Sequence, residues 1–199
     1  FLNIKCAASG LSPKAVVLVA TIRALRHHGG AKKDAINDPN PEFVVKGMAN
    51  LEKHIENIRK FNIQPVVAIN SFTNDTEEEV NLVVKACQQL DVEAVVSNGW
   101  AKGGEGTREL ATAVKKVVES AQSQFTPLYN WKSPVKEKIE KIAREIYGAT
   151  SVSYDKKAQL NLRRIDRLGF SDFAVCMAKT QKSFSDDESL IGRPEDFEV

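Results

Sequence analysis

Ala15–Ala20 reads AVVLVA and Pro65–Ile69 reads PVVAI. Each is a continuous apolar run of strand length, as expected of a strand buried on both faces of a sheet. Pro65 stands first in its run, where a missing N–H costs no central ladder bond. Between the two runs, from Glu42 to about Phe61, the apolar residues Val44, Met48, Leu51, Ile55 and Ile58 step by 4, 3, 4 and 3. That spacing draws one apolar stripe along a helix and leaves Lys46, Glu52, Lys53 and Lys60 for its wet face.

The pattern extends in both directions. Thr21–His28 has helical character and stops at Gly29-Gly30, a chain-reversal signal, and residues 31–41 read as loop. Thr76–Leu90 is expected as a helix, capped by Asp75 or Thr76, with an acidic first turn at Glu77–Glu79. Ala94–Ser97 follows as a third short strand and Gly106–Ala121 as a third helix. Strand–helix alternation of this kind predicts an α/β fold, a parallel sheet covered by helices, over residues 1–125. After about Phe125 the style changes. A helix from Ser133-Pro134 to Tyr147, another over Asp155–Leu168 and a strand at Ala174–Ala178 (AVCMA) predict a smaller α/β lobe over residues 126–199.

Composition bounds the function. The 199 residues are 42% hydrophobic and 27% charged, enough for one large or two small cores. Twenty-eight basic against 26 acidic residues leave a net charge of +2 with no dense basic stripe, which argues against nucleic acid as a partner. Cys6, Cys87 and Cys176 lie far apart without a CxxC, as small buried residues in a reducing cytoplasm would. No apolar run approaches the roughly 18–20 residues of a membrane span, and Phe1 opens no secretory signal. The chain opens on Phe1 rather than Met and stops amid what reads as a strand onset after Pro194, so its ends are expected to be cut.

In open parallel sheets, ligands bind beyond the carboxyl ends of the strands. Chemistry is therefore expected on Thr21–Gly30, Asn70–Thr76 and Ser97–Gly106. Thr21 can donate or accept a hydrogen bond, and Arg23 is either a forked cation for carboxylate or phosphate or a solvated helix residue. His27 and His28 have no partner at metal-ligand spacing, and no metal site is expected. Asn70 and Asp75 fit the amide and carboxylate that phosphate-loop enzymes place beside a base, although an Asx-turn with a helix cap accounts for Asp75 equally well. Phe72 on its polar loop is either a lid on the core or a stacking face for a planar ligand. Trp100 is a second such aromatic, followed by Gly103, Gly104 and Gly106, which let backbone approach a ligand or simply permit a tight turn. The 199 residues contain no GxxxxGK[ST].

Taken together, these segments resemble the formate–tetrahydrofolate ligases. Val19–Gly30 (VATIRALRHHGG) follows the family pattern with only Arg26 in place of Lys. Phe1–Gly10 (FLNIKCAASG), Leu51–Phe61 (LEKHIENIRKF), Val67–Thr76 (VAINSFTNDT), Trp100–Gly106 (WAKGGEG), Ile139–Gly148 (IEKIAREIYG) and Cys176–Thr180 (CMAKT) are similar to family segments along nearly the whole chain. Departures are Asn3 for Asp, Ala7 for Arg, Ser71 for Lys and Thr73 for Pro. The loss of cations at Ala7 and Ser71 touches groups that could meet phosphate or the folate carboxylate.

The resemblance implies an ATP-dependent ligase of one-carbon metabolism. Such enzymes make 10-formyltetrahydrofolate from formate, tetrahydrofolate and MgATP through formyl phosphate, and a monovalent cation is a further expectation. It also implies a cytoplasmic homotetramer and a phosphate-loop-NTPase-like half. The phosphate loop would come from the remainder of the polypeptide or a companion subunit, so the isolated chain would be inactive. By the same resemblance the pterin stacks between Phe72 and Trp100, and Arg23 faces the anionic intermediate. Asn70, Asp75, Gly103, Gly104 and Gly106, with Thr21 and Ser97 at the strand ends, border the nucleotide and folate pockets. The competing expectation is a non-catalytic folate- or nucleotide-binding or oligomerisation module. The lost cations favour it, and the retained Phe72, Trp100 and His28-Gly29-Gly30 oppose it.

Overall fold

In the structure, a computed structural model describing residues 1–120, 122–177 and 182–199, elements form close to where the apolar patterns place them. In chain order they are α1 (Ala7–Ser9), β1 (Val16–Ala20), α2 (Ile22–His28), α3 (Pro41–Arg59), β2 (Pro65–Asn70) and α4 (Glu77–Gln89). Then come β3 (Glu93–Ser97), α5 (Gly99–Lys102), α6 (Arg108–Glu119), α7 (Val135–Lys141) and α8 (Lys156–Arg167). The chain divides into two units, Pro13–Phe125 and Phe1–Ser12 with Thr126–Val199. Residues 1–12, placed with the parallel domain by the sequence pattern, thus group with the C-terminal part.

The first unit is α/β. Its sheet runs β1-β2-β3, and both pairs are parallel. Leu18, Val67, Ile69 and Ala94 face a core closed by Ile22 and Leu25 of α2, Val44, Met48, Leu51 and Ile55 of α3, and Val83 and Cys87 of α4. Burial raises the Cys87 thiol pKa to about 11, with help from the Glu52 charge, so this cysteine stays a neutral packing residue. On α3 the 4-3-4 stripe is the core face as its spacing predicts. Lys53, however, is buried and Glu52 half-buried rather than solvated, because α3 lies between neighbours that cover more than its stripe.

The two glycines expected to reverse the chain divide the task. Gly30 takes φ +103, the left-handed conformation that glycine adopts freely. Gly29 serves close packing instead: a Cβ there would lie 1.8 Å from the Phe43 carbonyl oxygen. A Cβ on Gly47 would lie 2.0 Å from the Leu25 carbonyl oxygen, so α2 and α3 touch backbone to backbone.

β1 departs from expectation. It is an edge strand, and Val17 and Val19 remain 40% and 62% exposed. They share a face with Val66 and Ala68 by register. That second face is covered by α6, which packs on β3 and β2 and leaves β1 open. β2, central and paired on both sides, is the strand buried on both faces.

In the second unit, the Asn3 side chain accepts the Leu128 amide at 2.7 Å, and the Asn3 carbonyl accepts the Trp131 indole N–H at 2.9 Å. α7 passes into a π-helical turn, Ile142–Tyr147, closed by Gly148 at φ +86. Lys138 is fully buried, and its ammonium donates to the carbonyls of Trp131, Ser171 and Phe173 at 2.6, 2.5 and 2.9 Å. Asp155 caps α8 by accepting the Ala158 amide. The strand expected at Ala174–Ala178 is not formed by its described residues, 174–177. There the Tyr129 hydroxyl accepts the Val175 N–H at 3.0 Å and donates to the Val175 carbonyl at 2.9 Å, taking the place of a neighbouring strand. Among the described residues this unit's β pairing is one parallel bridge, Ser151 with Glu198. Ala121 and residues 178–181, including the end of the Cys176–Thr180 motif, lie outside the described residues.

Candidate functional site

Parallel register decides which loops can meet. Ala20 pairs with Ile69, Ile69 with Val96, and Asn70 with Ser97, so the three strands end in line. The loops opening at Thr21, Asn70 and Ser97 therefore leave the same edge of the sheet, where parallel sheets bind ligands.

Two aromatics meet there. Phe72 and Trp100 are 45% and 57% exposed, and their rings stack with centroids 5.9 Å apart and planes 19° from parallel. Neither is core packing. Trp100 donates its indole N–H to the Ser71 carbonyl at 2.7 Å. Because the acceptor is main chain, the serine at that position does not alter this bond. Phe72 is tied through its backbone: its N–H donates to Asp75 Oδ2 at 2.8 Å. Asp75 is thus a loop brace, while Thr76 caps α4 through a reciprocal box with Glu79.

Beneath this loop lies a buried ion pair. Arg26, on the last turn of α2, grips Glu79 with two parallel bonds, Nε to Oε1 at 2.8 Å and Nη2 to Oε2 at 2.6 Å. Nη1 donates to the Ile36 carbonyl at 3.3 Å and Nη2 to the Asn74 carbonyl at 3.2 Å, with Asp75 Oδ1 at 4.0 Å. The Glu79 carboxylate also accepts the Asn40 and Thr76 amides and the Thr76 hydroxyl. Burial alone would raise the Glu79 pKa; the bonds from Arg26, Asn40 and Thr76 outweigh it and hold it at about 2. The same bond with Glu79 raises the Arg26 pKa against the effect of its own burial. Sequence reading passed over this pair. The T-x-x-E box at Thr76–Glu79 was a usable signal for half of it, but nothing local connects Glu79 to an arginine 53 residues earlier.

The remaining candidates lie at this edge of the sheet or on the segments that leave it. Thr21 is the N-cap of α2, its hydroxyl accepting the Ala24 amide at 3.1 Å. Arg23, in the first turn of α2, is exposed, with no hydrogen bond or ion pair among the described residues. Asn70 and Ser97 are half-buried at the strand ends, and the Ser97 carbonyl accepts the Ser71 amide at 3.3 Å. Gly103 adopts φ +56, and Gly104 is open to solvent. Gly106 has a steric reason: a Cβ there would lie 2.5 Å from the Asn98 carbonyl oxygen, while its own carbonyl accepts the Asn98 N–H at 3.0 Å. A polar cavity of about 540 Å³ opens at the other end of the sheet, beside Pro65, Glu93 and Lys116, away from the aromatics. It has no stacking surface, and the Glu93–Lys116 pair at its edge already satisfies itself at 3.0 Å. Among the described residues no cluster of His, Cys, Asp and Glu could hold a metal, and no helix is long and apolar enough to cross a membrane.

This edge thus carries two exposed, stacked aromatics, with the exposed Arg23 in the first turn after β1 and the glycines Gly103, Gly104 and Gly106 on the segment after β3. Comparison with known protein families matches residues 1–199 to formate–tetrahydrofolate ligase. The chain belongs, over its whole length, to the formate–tetrahydrofolate ligase family, which uses ATP and tetrahydrofolate as substrates.

Proposed function

We propose that this chain forms the folate side of the active site of an ATP-dependent ligase that makes 10-formyltetrahydrofolate through formyl phosphate. The observation carrying this reading is the exposed, near-parallel Phe72–Trp100 stack at the carboxyl edge of the sheet. Exposed aromatics of that size find a partner surface in a planar ring, and the pterin is such a ring. The stack as it stands is closed. A ring between two others needs carbon contacts of about 3.5–4.0 Å on each face, or roughly 7–8 Å in all. With centroids 5.9 Å apart, the walls must separate by an ångström or more to admit the pterin. Trp100, held by one indole bond on a glycine-flanked turn, is the wall that moves.

In this reading Arg23, exposed and without a bond among the described residues, holds the oxygens of formyl phosphate while the folate amine attacks the formyl carbon and phosphate departs. Asn70, Asp75, Thr21, Ser97 and the backbone of Gly103, Gly104 and Gly106 border the pocket. These 199 residues hold no GxxxxGK[ST], so a phosphate cradle of that type comes from elsewhere in the assembled ligase.

The test is Trp100→Ala and Phe72→Ala in the complete ligase, read by tetrahydrofolate affinity and unfolding midpoint. An aromatic stack contributes about 0.5–1.5 kcal/mol beyond area burial, so affinity should fall roughly two- to twelvefold with the midpoint little changed. Unchanged affinity, with the ~3–5 kcal/mol stability loss of a buried aromatic truncation, would overturn the reading.

A further inference from the structure

We propose that Arg26 is a positioning residue for folate, fixing the Phe72 wall from below; the proposal rests on the reading of Phe72 and Trp100 as the pterin site. Arg26 touches no exposed surface itself. Its guanidinium spends its bonds on three segments: Glu79 at the start of α4, the Ile36 carbonyl, and the Asn74 carbonyl two residues beyond Phe72. Asp75, the next residue, is buried at 4.0 Å from the same guanidinium and accepts the Phe72 amide. From Arg26 to the Phe72 backbone there is thus an unbroken path of two polar contacts, through Asn74 and Asp75.

The chemistry of arginine suits this use. Its planar fork holds both Glu79 oxygens and still has a third N–H direction for main-chain carbonyls. The ion pair also anchors the Asn40 amide, so α2, the loop before α3 and the start of α4 are clamped at one point. A wall anchored in this way keeps its place when Trp100 swings out to admit the pterin. If the fork is lost, the Asn74 and Ile36 carbonyls lose a donor and Asp75 loses its neighbouring cation. Phe72 then becomes mobile on the face where folate stacks. The network's bonds run to the loop that carries Phe72, so its removal should be felt first by tetrahydrofolate.

The experiment uses the complete ligase with Arg26→Met, Arg26→Lys, Phe72→Ala and Trp100→Ala, and measures KM for tetrahydrofolate, formate and ATP together with kcat and thermal unfolding. Arg26→Met should raise KM for tetrahydrofolate roughly two- to twelvefold, the range set by loss of one stacking wall, while the other two KM values stay within about twofold. Arg26→Lys, which keeps a cation with three donors, should restore most of the loss. If Arg26→Met does not fold, Arg26→Gln, which retains two N–H donors in the buried site, takes its place in the same comparison. A lower kcat or melting point with all three KM values unchanged, or raised together, overturns the proposal and leaves the aromatic site standing. Unchanged tetrahydrofolate KM in both Phe72→Ala and Trp100→Ala overturns the aromatic site itself, and the role of Arg26 with it.

Discussion

The two loops that meet at the aromatic stack are built on opposite principles. Asn70–Thr76 is held by side chains: Asp75 on the Phe72 amide, Arg26 on the Asn74 carbonyl, and the buried Arg26–Glu79 pair beneath. Asn98–Gly106 is held mostly by its own main chain, with the Asn98 carbonyl accepting the Ala101 and Lys102 amides and the Asn98 N–H donating to the Gly106 carbonyl, and by the Trp100 indole bond to Ser71. Its residues 100–105 are all exposed, and no buried charge supports it. Main-chain turns of this sort open and close at little cost, whereas a buried charge network cannot shift without exposing an unpaired group. For the pterin site proposed above, the difference makes the Phe72 loop the fixed wall and the Trp100 loop the movable one.

The largest effect should come from breaking the fixed side. Glu79→Gln leaves Arg26 charged, buried and without its partner carboxylate, a change that typically costs about 3–5 kcal/mol. Urea unfolding of the variant should show that loss. A loss below about 1 kcal/mol would mean the pair is solvated in solution and the comparison has no fixed wall.

Acid offers a graded version of the same break. The Glu79 pKa is depressed from 4.5 in the unfolded chain to about 2 in the folded one. The unfolded state therefore takes up the proton first as pH falls. The stabilisation is complete above about pH 4.5, declines between there and about pH 2, and is gone below. A shift of that size is worth on the order of 3 kcal/mol. The stability gap between the wild type and Glu79→Gln should accordingly narrow as pH is lowered from about 6 to about 3. A gap that stays constant over that interval would show that the Glu79 carboxylate is not the group responsible.

Much of the scaffold was legible in sequence because it rests on local pattern. AVVLVA and PVVAI fold as strands, the 4-3-4 stripe of α3 is its core face, and Thr76 caps α4 within three residues of Glu79. Phe72 and Trp100 were legible as aromatics out of place on polar loops. What was missed depends on partners distant in sequence. Arg26 looks like any cation at the end of a helix until Glu79 arrives from α4. Lys53 occupies a polar position of its heptad and is nevertheless buried. β1 has the composition of a central strand, yet only the order of strands reveals it as an edge. At Val175 a tyrosine hydroxyl replaces the strand that an apolar run predicts, and periodicity carries no record of that substitution.

The smallest effect should come from the movable side. Arg108 and Glu105 form an ion pair at 3.0 Å beside Gly106, close to the 2.6 Å of Arg26–Glu79 and composed of the same two residue types. The decisive difference is water, since their side chains are 74% and 67% exposed against 1% and 0%. In water the charges lose little by parting, and holding two long side chains together costs rotamer entropy, so exposed pairs usually contribute between nothing and about 1 kcal/mol. Arg108→Gln should shift the urea midpoint by less than about 0.5 kcal/mol of stability, and added salt should leave the wild type equally unaffected. Tetrahydrofolate affinity should not change, because neither charge supports Trp100, whose indole is bonded to a main-chain carbonyl on the other loop. A loss near that of Glu79→Gln, or a clear rise in the folate KM, would show that side chains hold the Trp100 loop as firmly as they hold Phe72. Both walls would then be fixed, and a stack with centroids 5.9 Å apart could not open to take a ring.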